Sequence, residues 1–239
     1  MPGSIVLAAE DSVIFHLAWS VTMPEGGLHA EIKEWIRRPG DIVEGEVWGY
    51  KADLIRGDTL IEVQTGNFSG DFRGKVKRLL KGYMVRVVHP VPERKWVIRD
   101  IDGRRTRRVT PRAGRVEEVF SELVYCPTLP LDPNFSLEVL LVNSEETQEV
   151  RWRGRRRTRY KVTGRHLLEV VGREVFESPR DYLRLLPDMH GAFTARQLSK
   201  ASGIRITLAR QMVYCLAKMG LIEEIGNVAK AKLYRIKAN

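Results

Sequence analysis

Ala52-Asp53-Leu54-Ile55-Arg56-Gly57-Asp58-Thr59-Leu60-Ile61-Glu62-Val63-Gln64 is the stretch on which the fold class turns. Two apolar, β-branched runs flank Arg56-Gly57-Asp58, whose Gly and Asp favour a tight reversal. The spacing predicts two strands, Glu46 to Ile55 and Thr59 to Thr65, paired as a hairpin. With a period of two, Leu60, Glu62 and Gln64 share one face, and Ile61 and Val63 share the other. Asp53 lies near the end of the first strand and Glu62 near the end of the second. An ionised carboxylate among residues this apolar is costly to desolvate unless it is paired or metal-bound. Two of them on neighbouring strands make a donor set for a hard cation, since Mg²⁺ prefers carboxylate oxygens and retains waters.

Upstream, residues 25–37 read as an amphipathic helix with Leu28, Ile32, Trp35 and Ile36 on one face, ended by Pro39-Gly40-Asp41. Downstream, Phe72, Val76, Leu79 and Leu80 fall at helical spacing between Ser69 and Lys81, and Gly82 occupies the place of a C-cap glycine. Tyr83 to Val88 is β-rich and stops at His89-Pro90-Val91-Pro92. The order helix, hairpin, helix, strand is a mixed α/β pattern. In the middle of the chain, Trp96 to Ile101 and Val109 flank a turn at Asp102-Gly103, and Arg115 to Val124 looks helical. Leu137 to Val142, Glu149 to Trp152 and Arg157 to Val162 read as strands. From Ser178 the pattern turns helical. Asp181 to Leu186 begins a helix, Thr194 caps Ala195 to Ser202, and Ile206 to Met219 forms a longer helix. Short strands then run from Leu221 to Ile225 and from Leu233 to Ile236. This divides the chain into an α/β domain (1–125), an Arg-rich β connector (126–177) and a helical C-terminal unit (178–239).

The 239 residues are 43% hydrophobic and 29% charged, which excludes a disordered polyelectrolyte. Cys126 and Cys215 are too few and too far apart for a disulfide framework or a cysteine zinc site, so a reducing compartment is expected. The apolar run from Ile5 to Val21 is interrupted by Glu10, Asp11 and His16 and lacks a basic leader. It reads as neither signal peptide nor membrane span, and a cytoplasmic location is expected. The net charge of +10 is unevenly distributed. Residues 1–70 carry 5 basic and 11 acidic side chains, 71–115 carry 15 and 4, and 116–150 carry 8 acidic and no basic ones. Arginines cluster again at 104–108 and 151–159. Forked guanidiniums suit phosphate oxygens, so a polyanion partner is expected, DNA first, with RNA not distinguished by charge. Trp152 and Tyr160 are candidates to stack on bases. Monomer and homodimer both remain open.

From about Glu25 to Val88 the sequence resembles the PD-(D/E)XK nuclease superfamily, the restriction-endonuclease-like fold. Asp53 matches the motif Asp, Glu62 the motif Glu, and Gln64 the position usually held by Lys. The basic helix and the strand from Tyr83 follow in the family's order. The resemblance implies a mixed sheet flanked by helices and phosphodiester hydrolysis with Mg²⁺ (or Mn²⁺) held by Asp53 and Glu62. Gln64 would orient the attacking water, with the missing positive charge supplied by Lys33 or Lys51. The helix carboxylate of the family corresponds to Glu25, Glu31 or Glu34. Glu25 is favoured because it is in line with Ile32 and Ile36, with His29 and Lys33 on the adjoining flank.

The C-terminal order of helix, turn, helix and two strands resembles a winged helix-turn-helix. The resemblance makes Ile206–Met219 the recognition helix, with Val213, Leu216 and Ala217 facing the core. Arg205, Thr207, Arg210 and Gln211 would lie at its DNA-facing end, and Lys230 and Lys232 in the wing would meet phosphate. Arg155, Arg156 and Arg157 would add backbone contacts. The sequence therefore points to a DNA-binding protein resembling a metal-dependent endonuclease. The alternative is a non-catalytic DNA-binding regulator on a decayed nuclease core.

Overall fold

A computed structural model describes residues 27–68, 70–101, 103–111, 113–153, 158–189 and 191–237. Glu25, the 5–21 run and Arg155, Arg156 and Arg157 lie outside the described residues. In chain order the elements are α1 (Leu28–Ile36), β1 (Ile42–Val43), β2 (Glu46–Val47), β3 (Tyr50–Lys51), β4 (Leu54–Arg56), β5 (Thr59–Val63) and α2 (Gly70–Leu79). Then come β6 (Met84–Ile101), β7 (Arg104–Val109), a 3-10 turn (Val116–Val119) running into α3 (Phe120–Leu123), and a second 3-10 turn (Leu129–Leu131). The chain continues through β8 (Phe135–Arg153), β9 (Thr158–Phe176), a 3-10 segment (Pro179–Leu185), α4 (Ala195–Ser202), α5 (Ile206–Lys218), β10 (Ile222–Val228) and β11 (Ala231–Ile236).

The fold is α/β, with a mixed sheet flanked by helices. Its seven strands run in the order β1-β4-β5-β6-β8-β9, with β7 paired to the outer part of β6. β5 and β6 are parallel and joined through α2, as are β6 and β8 through α3, whereas β4–β5 and β8–β9 are antiparallel. α1 lays Leu28 and Ile32 on Leu54, Ile61, Val63, Val88, Leu140 and Val142. Burying a side chain such as Ile32 contributes about 2 kcal/mol. The opposite face carries the larger core, which takes in Phe68, Val76 and Leu79 near α2, Phe120 and Leu123 of α3, and Leu208, Met212 and Leu216 of α5.

The structure corrects several sequence readings. The single strand expected from Glu46 to Ile55 is broken by Trp48 and Gly49, both at positive φ (51° and 77°). Two successive left-handed residues close a two-residue hairpin between β2 and β3, the turn whose twist matches paired strands. Gly82 is not in the left-handed region expected of a C-cap; a methyl group there would lie 2.4 Å from the Trp48 ring, which packs against Tyr83. Close packing, not backbone conformation, requires that glycine. The expected stop at His89-Pro90-Val91-Pro92 is also absent, since β6 runs through it. The Val88 carbonyl faces β5, where it accepts from the Gln64 N–H. Pro90 and Pro92 point the same way, beyond the end of β5, so their missing N–H groups leave no ladder bond unmade.

The segment read as a connector belongs to the sheet. β8 and β9 are 19 residues each and pair along almost their whole length with each other, and β8 with β6. At about 3.3 Å per residue they extend about 60 Å, forming an arm with β7 beyond the helix-covered body. The C-terminal unit packs α4 and α5 together and pairs β10 with β11, and Phe193 bridges to Tyr234. Thr194 caps α4 reciprocally with Gln197. Val213 and Leu216 are buried on α5 as expected, but Ala217 is exposed; Leu208, Ala209, Met212 and Cys215 complete the inner face. Among the described residues no helix is long and apolar enough to cross a membrane.

Candidate active site

Asp53 and Glu62 meet because of hairpin register. The last paired residues of β4 and β5 are Leu54 and Ile61, so one further step sets Asp53 opposite Glu62. Asp53 Oδ2 accepts the Val63 N–H at 2.8 Å and is 3.1 Å from His29 Nε2 on α1. Burial alone would raise the Asp53 pKa. The His29 hydrogen bond, the Val63 N–H and the charges of His29 and Lys33 outweigh burial and hold it below the ordinary value. His29 moves the opposite way, raised chiefly by its hydrogen bond to Asp53.

Glu62 is 4% exposed. Its burial pushes the carboxyl up to about 7, with the Asp53 charge acting in the same direction and Lys75 against it. Lys75 Nζ on α2 donates to Glu62 Oε2 at 2.6 Å and to the Lys51 carbonyl at 2.6 Å. The other carboxylate oxygen, Oε1, is buried without a hydrogen-bond partner. A buried acceptor of this kind costs about 1–3 kcal/mol when left unmade, and a cation or its water would satisfy it.

Gln64 donates from Nε2 to the Asn67 carbonyl at 2.7 Å, which leaves Oε1 as its remaining acceptor. Its backbone carbonyl accepts from His89 Nδ1 at 2.7 Å. His89 packs edge-on to Phe68, and burial lowers its pKa to about 4.

The two lysines nominated to replace the family lysine are both engaged by Glu44. Lys33 Nζ is 2.7 Å from its carboxylate, and Lys51 pairs with the other oxygen. These two bonds, Lys33 first, hold the exposed Glu44 carboxyl down at about 2. Lys33 still acts on Asp53 through its charge, but the ammonium at Glu62 is Lys75. The signal for it was present in the sequence: Lys75 lies three residues after Phe72 and one before the buried Val76, on the inward side of α2. Of the helix carboxylates, Glu31 is turned away to His166 Nδ1 (2.8 Å) and the Leu167 N–H, and Glu34 is exposed beside Arg37. The α1 residue brought to Asp53 is His29.

Among the described residues no group of three or more His, Cys, Asp and Glu side chains is arranged to hold a metal. The donor set is two carboxylates with one uncompensated oxygen, which fits a Mg²⁺-like cation that keeps most of its waters and does not fit a closed structural site.

Residues 26–177 match the model of a domain of unknown function, DUF8091. The chain belongs to the DUF8091 family. The match contains Asp53, Glu62, Lys75 and the whole arm, and it ends before α4. An uncharacterized protein of Treponema pallidum (strain Nichols) is 28% identical over 222 residues, 90% of this chain and 86% of that one. No solved structure matches this DUF8091 protein.

The nominated DNA contacts are distributed unevenly. Arg205 is held 3.2 Å from Glu118 of the sheet-side helical segment, next to Arg115, which donates to the Ser202 carbonyl at 2.6 Å. It therefore docks α5 on the body. Thr207, Arg210 and Lys230 are exposed and Gln211 is half-buried. Lys232 pairs with Glu224 at 2.8 Å. Arg210, Lys218 and Lys232 line a cleft of about 410 Å³ with Tyr214 and Tyr234. Tyr160, nominated for base stacking, carries the Arg99 guanidinium on its ring at 4.1 Å.

Proposed function

We propose that this chain is a metal-dependent phosphodiesterase acting on DNA, on a restriction-endonuclease-like core with a winged-helix unit at its C-terminus. The observation that carries the reading is the buried Glu62, opposite Asp53 and bonded to Lys75, with one oxygen left uncompensated. Mg²⁺ or Mn²⁺ held by Asp53 and Glu62 would supply an acidified water and neutralise charge on the phosphate oxygens. His29 and the Val63 N–H fix the Asp53 carboxylate. Lys75, tethered to Glu62 and the Lys51 carbonyl, would supply from α2 the positive charge that Gln64 lacks. Gln64, its amide nitrogen committed to Asn67, accepts a hydrogen bond from the attacking water through Oε1 and takes no proton. Glu25, outside the described residues, would be the helix carboxylate that the resemblance implies. Thr207, Arg210, Gln211 and Lys230 would contact DNA from the C-terminal unit, with Lys232 joining once it exchanges Glu224 for phosphate.

A second reading, a DNA-binding regulator on a decayed core, draws support from the same pairings. His29 and Lys75 already partner the two carboxylates, as they would in a site that no longer holds a cation. Incubating plasmid and single-stranded DNA with Mg²⁺ or Mn²⁺ separates the two. Cleavage by the wild type that is lost in Asp53→Ala supports catalysis. Binding without cleavage selects the regulator, and cleavage unchanged in Asp53→Ala removes the proposed site.

A further inference from the structure

The arm formed by β7, β6, β8 and β9 has two chemically different faces. Cross-strand pairs share a face, so the register sorts its side chains. One row runs Arg105–Asp100–Glu149–Lys161, and another runs Val109–Trp96–Glu145–His166. On this face positive and negative charges alternate, and Arg107 is bonded to Glu145 at 2.8 Å and lies over the Trp96 ring. The other face carries Arg108–Val97–Glu146–Arg165, then Thr106–Arg99–Gln148–Val162, then Arg104 beside Ile101. There, among the described residues of these rows, Arg99, Arg104, Arg108 and Arg165 stand against a single carboxylate, Glu146.

The cationic face is also hollowed. Arg99, Ile101, Thr106, Arg108 and Tyr160 line a trough of about 340 Å³, and a second hollow of about 430 Å³, lined also by Gln148, adjoins it at Arg99 and Tyr160. Arg99 sits between the two. The Gln148 carbonyl oxygen accepts its Nε–H at 2.9 Å, and the Tyr160 ring lies beneath its guanidinium. Such a fixed fork loses little entropy on meeting an anion. Arg104 and Arg108, both exposed on the same side of β7, are four residues apart, about 13 Å along the strand. Over that length one strand of a duplex carries about four phosphates.

We infer that the Arg99–Arg104–Arg108 face of the arm is a seat for the phosphodiester backbone of DNA, and that the Arg105–Arg107 face is not. The inference rests on the DNA-binding reading above and assigns it a surface. It also reverses the part expected of Tyr160, which supports a guanidinium and does not stack on a base. Contacts to phosphate alone read no sequence, so the arm adds affinity without specificity.

The test measures affinity of the full chain for a fluorescent duplex of arbitrary sequence over a range of salt concentrations, with EDTA present to prevent cleavage. Arg104→Ala/Arg108→Ala is compared with Arg105→Ala/Arg107→Ala, an equal loss of charge on the opposite face. The first pair should lower the magnitude of the salt slope by roughly 2, at about 0.9 per phosphate contact, and weaken binding at least tenfold at low salt. The second should leave both within twofold of wild type. Equal effects from the two pairs would overturn the face assignment while leaving DNA binding intact. No wild-type binding at any salt would overturn the DNA reading and the inference with it. Arg99→Lys keeps the charge but not the fork; it should weaken binding if the seat is built as described, and unchanged affinity would count against it.

Discussion

Where β6 and β8 lie under the helices, Val85, Val87, Leu137 and Val139 are buried; where the same strands continue into the arm, Arg99, Asp100, Glu145 and Glu149 take over. The strands are continuous, yet their chemistry changes along their length. In the body, burial governs: it raises Glu62 and lowers His89, and it leaves a carboxylate oxygen without a partner. In the arm most charged groups reach solvent, and arginine can be tolerated on either face. The contrast teaches that a perturbed carboxylate pair and a cationic track need different settings, and one sheet supplies both.

The contrast breaks first at Lys75. In the solvated arm, loss of one member of an exposed ion pair is nearly neutral. At the buried Glu62 it leaves a charge without its partner, and such losses cost about 3–5 kcal/mol when the charge is retained. Lys75→Met is therefore expected to reduce cleavage on the order of 10²-fold or more and to lower stability above pH 7, as read by plasmid nicking and urea unfolding. Unchanged rate and stability would mean that the pair is incidental.

The second prediction uses the two buried titrating groups, which act in opposite senses. The Glu62 pKa is raised from 4.5 to about 7. Its contribution to stability is full below pH 4.5 and is lost as pH rises to about 7. The His89 pKa is lowered from 6.5 to about 4. Its contribution is full above pH 6.5 and is lost as pH falls to about 4. Each amounts to roughly 3 kcal/mol, and between pH 4.5 and 6.5 they offset one another. Glu62→Gln should uncover a fall in stability on acidification, and His89→Gln a rise. Parallel pH profiles for wild type and both variants would contradict the assignment of these two residues.

Packing supplies the third. Gly82→Ala sets a methyl group against the Trp48 ring and should cost about 1–3 kcal/mol, whereas Arg105→Ala in the arm should stay within about 0.5 kcal/mol. Similar melting shifts for the two would erase the distinction between a close-packed body and a solvated arm.

The sequence already displayed much of the body. The apolar, β-branched run from Leu60 to Val63 reads as a strand and helical spacing from Phe72 to Leu80 reads as a helix; the structure has both, with β5 buried on its two faces. The arm was hidden because that signal fails where both faces are wet: polar residues from Asn143 to Gln148 look like a loop, so β8 read as two strands. Pro90 and Pro92 concealed the continuity of β6, since their harmlessness depends on where β5 stops. At the site, Asp53 and Glu62 were legible from their apolar surroundings. Lys75 was not singled out, because it is one of five basic residues on or just after α2 and nothing in their pattern marks the one bonded to Glu62. Lys33 and Lys51 were drawn off by Glu44, a partner that strand periodicity does not reveal. Glu31 was drawn off by His166, which is 135 residues away.

The most direct test of the central claim is a Mn²⁺ titration of the full chain, followed by the loss of the free-ion electron paramagnetic resonance signal. Mn²⁺ takes the same oxygen ligands as Mg²⁺ and needs no substrate. One site should appear in the wild type and vanish in Asp53→Ala and in Glu62→Gln, while Arg104→Ala/Arg108→Ala keeps it. Absence of a site in the wild type, or a site that survives both carboxylate substitutions, would contradict the account.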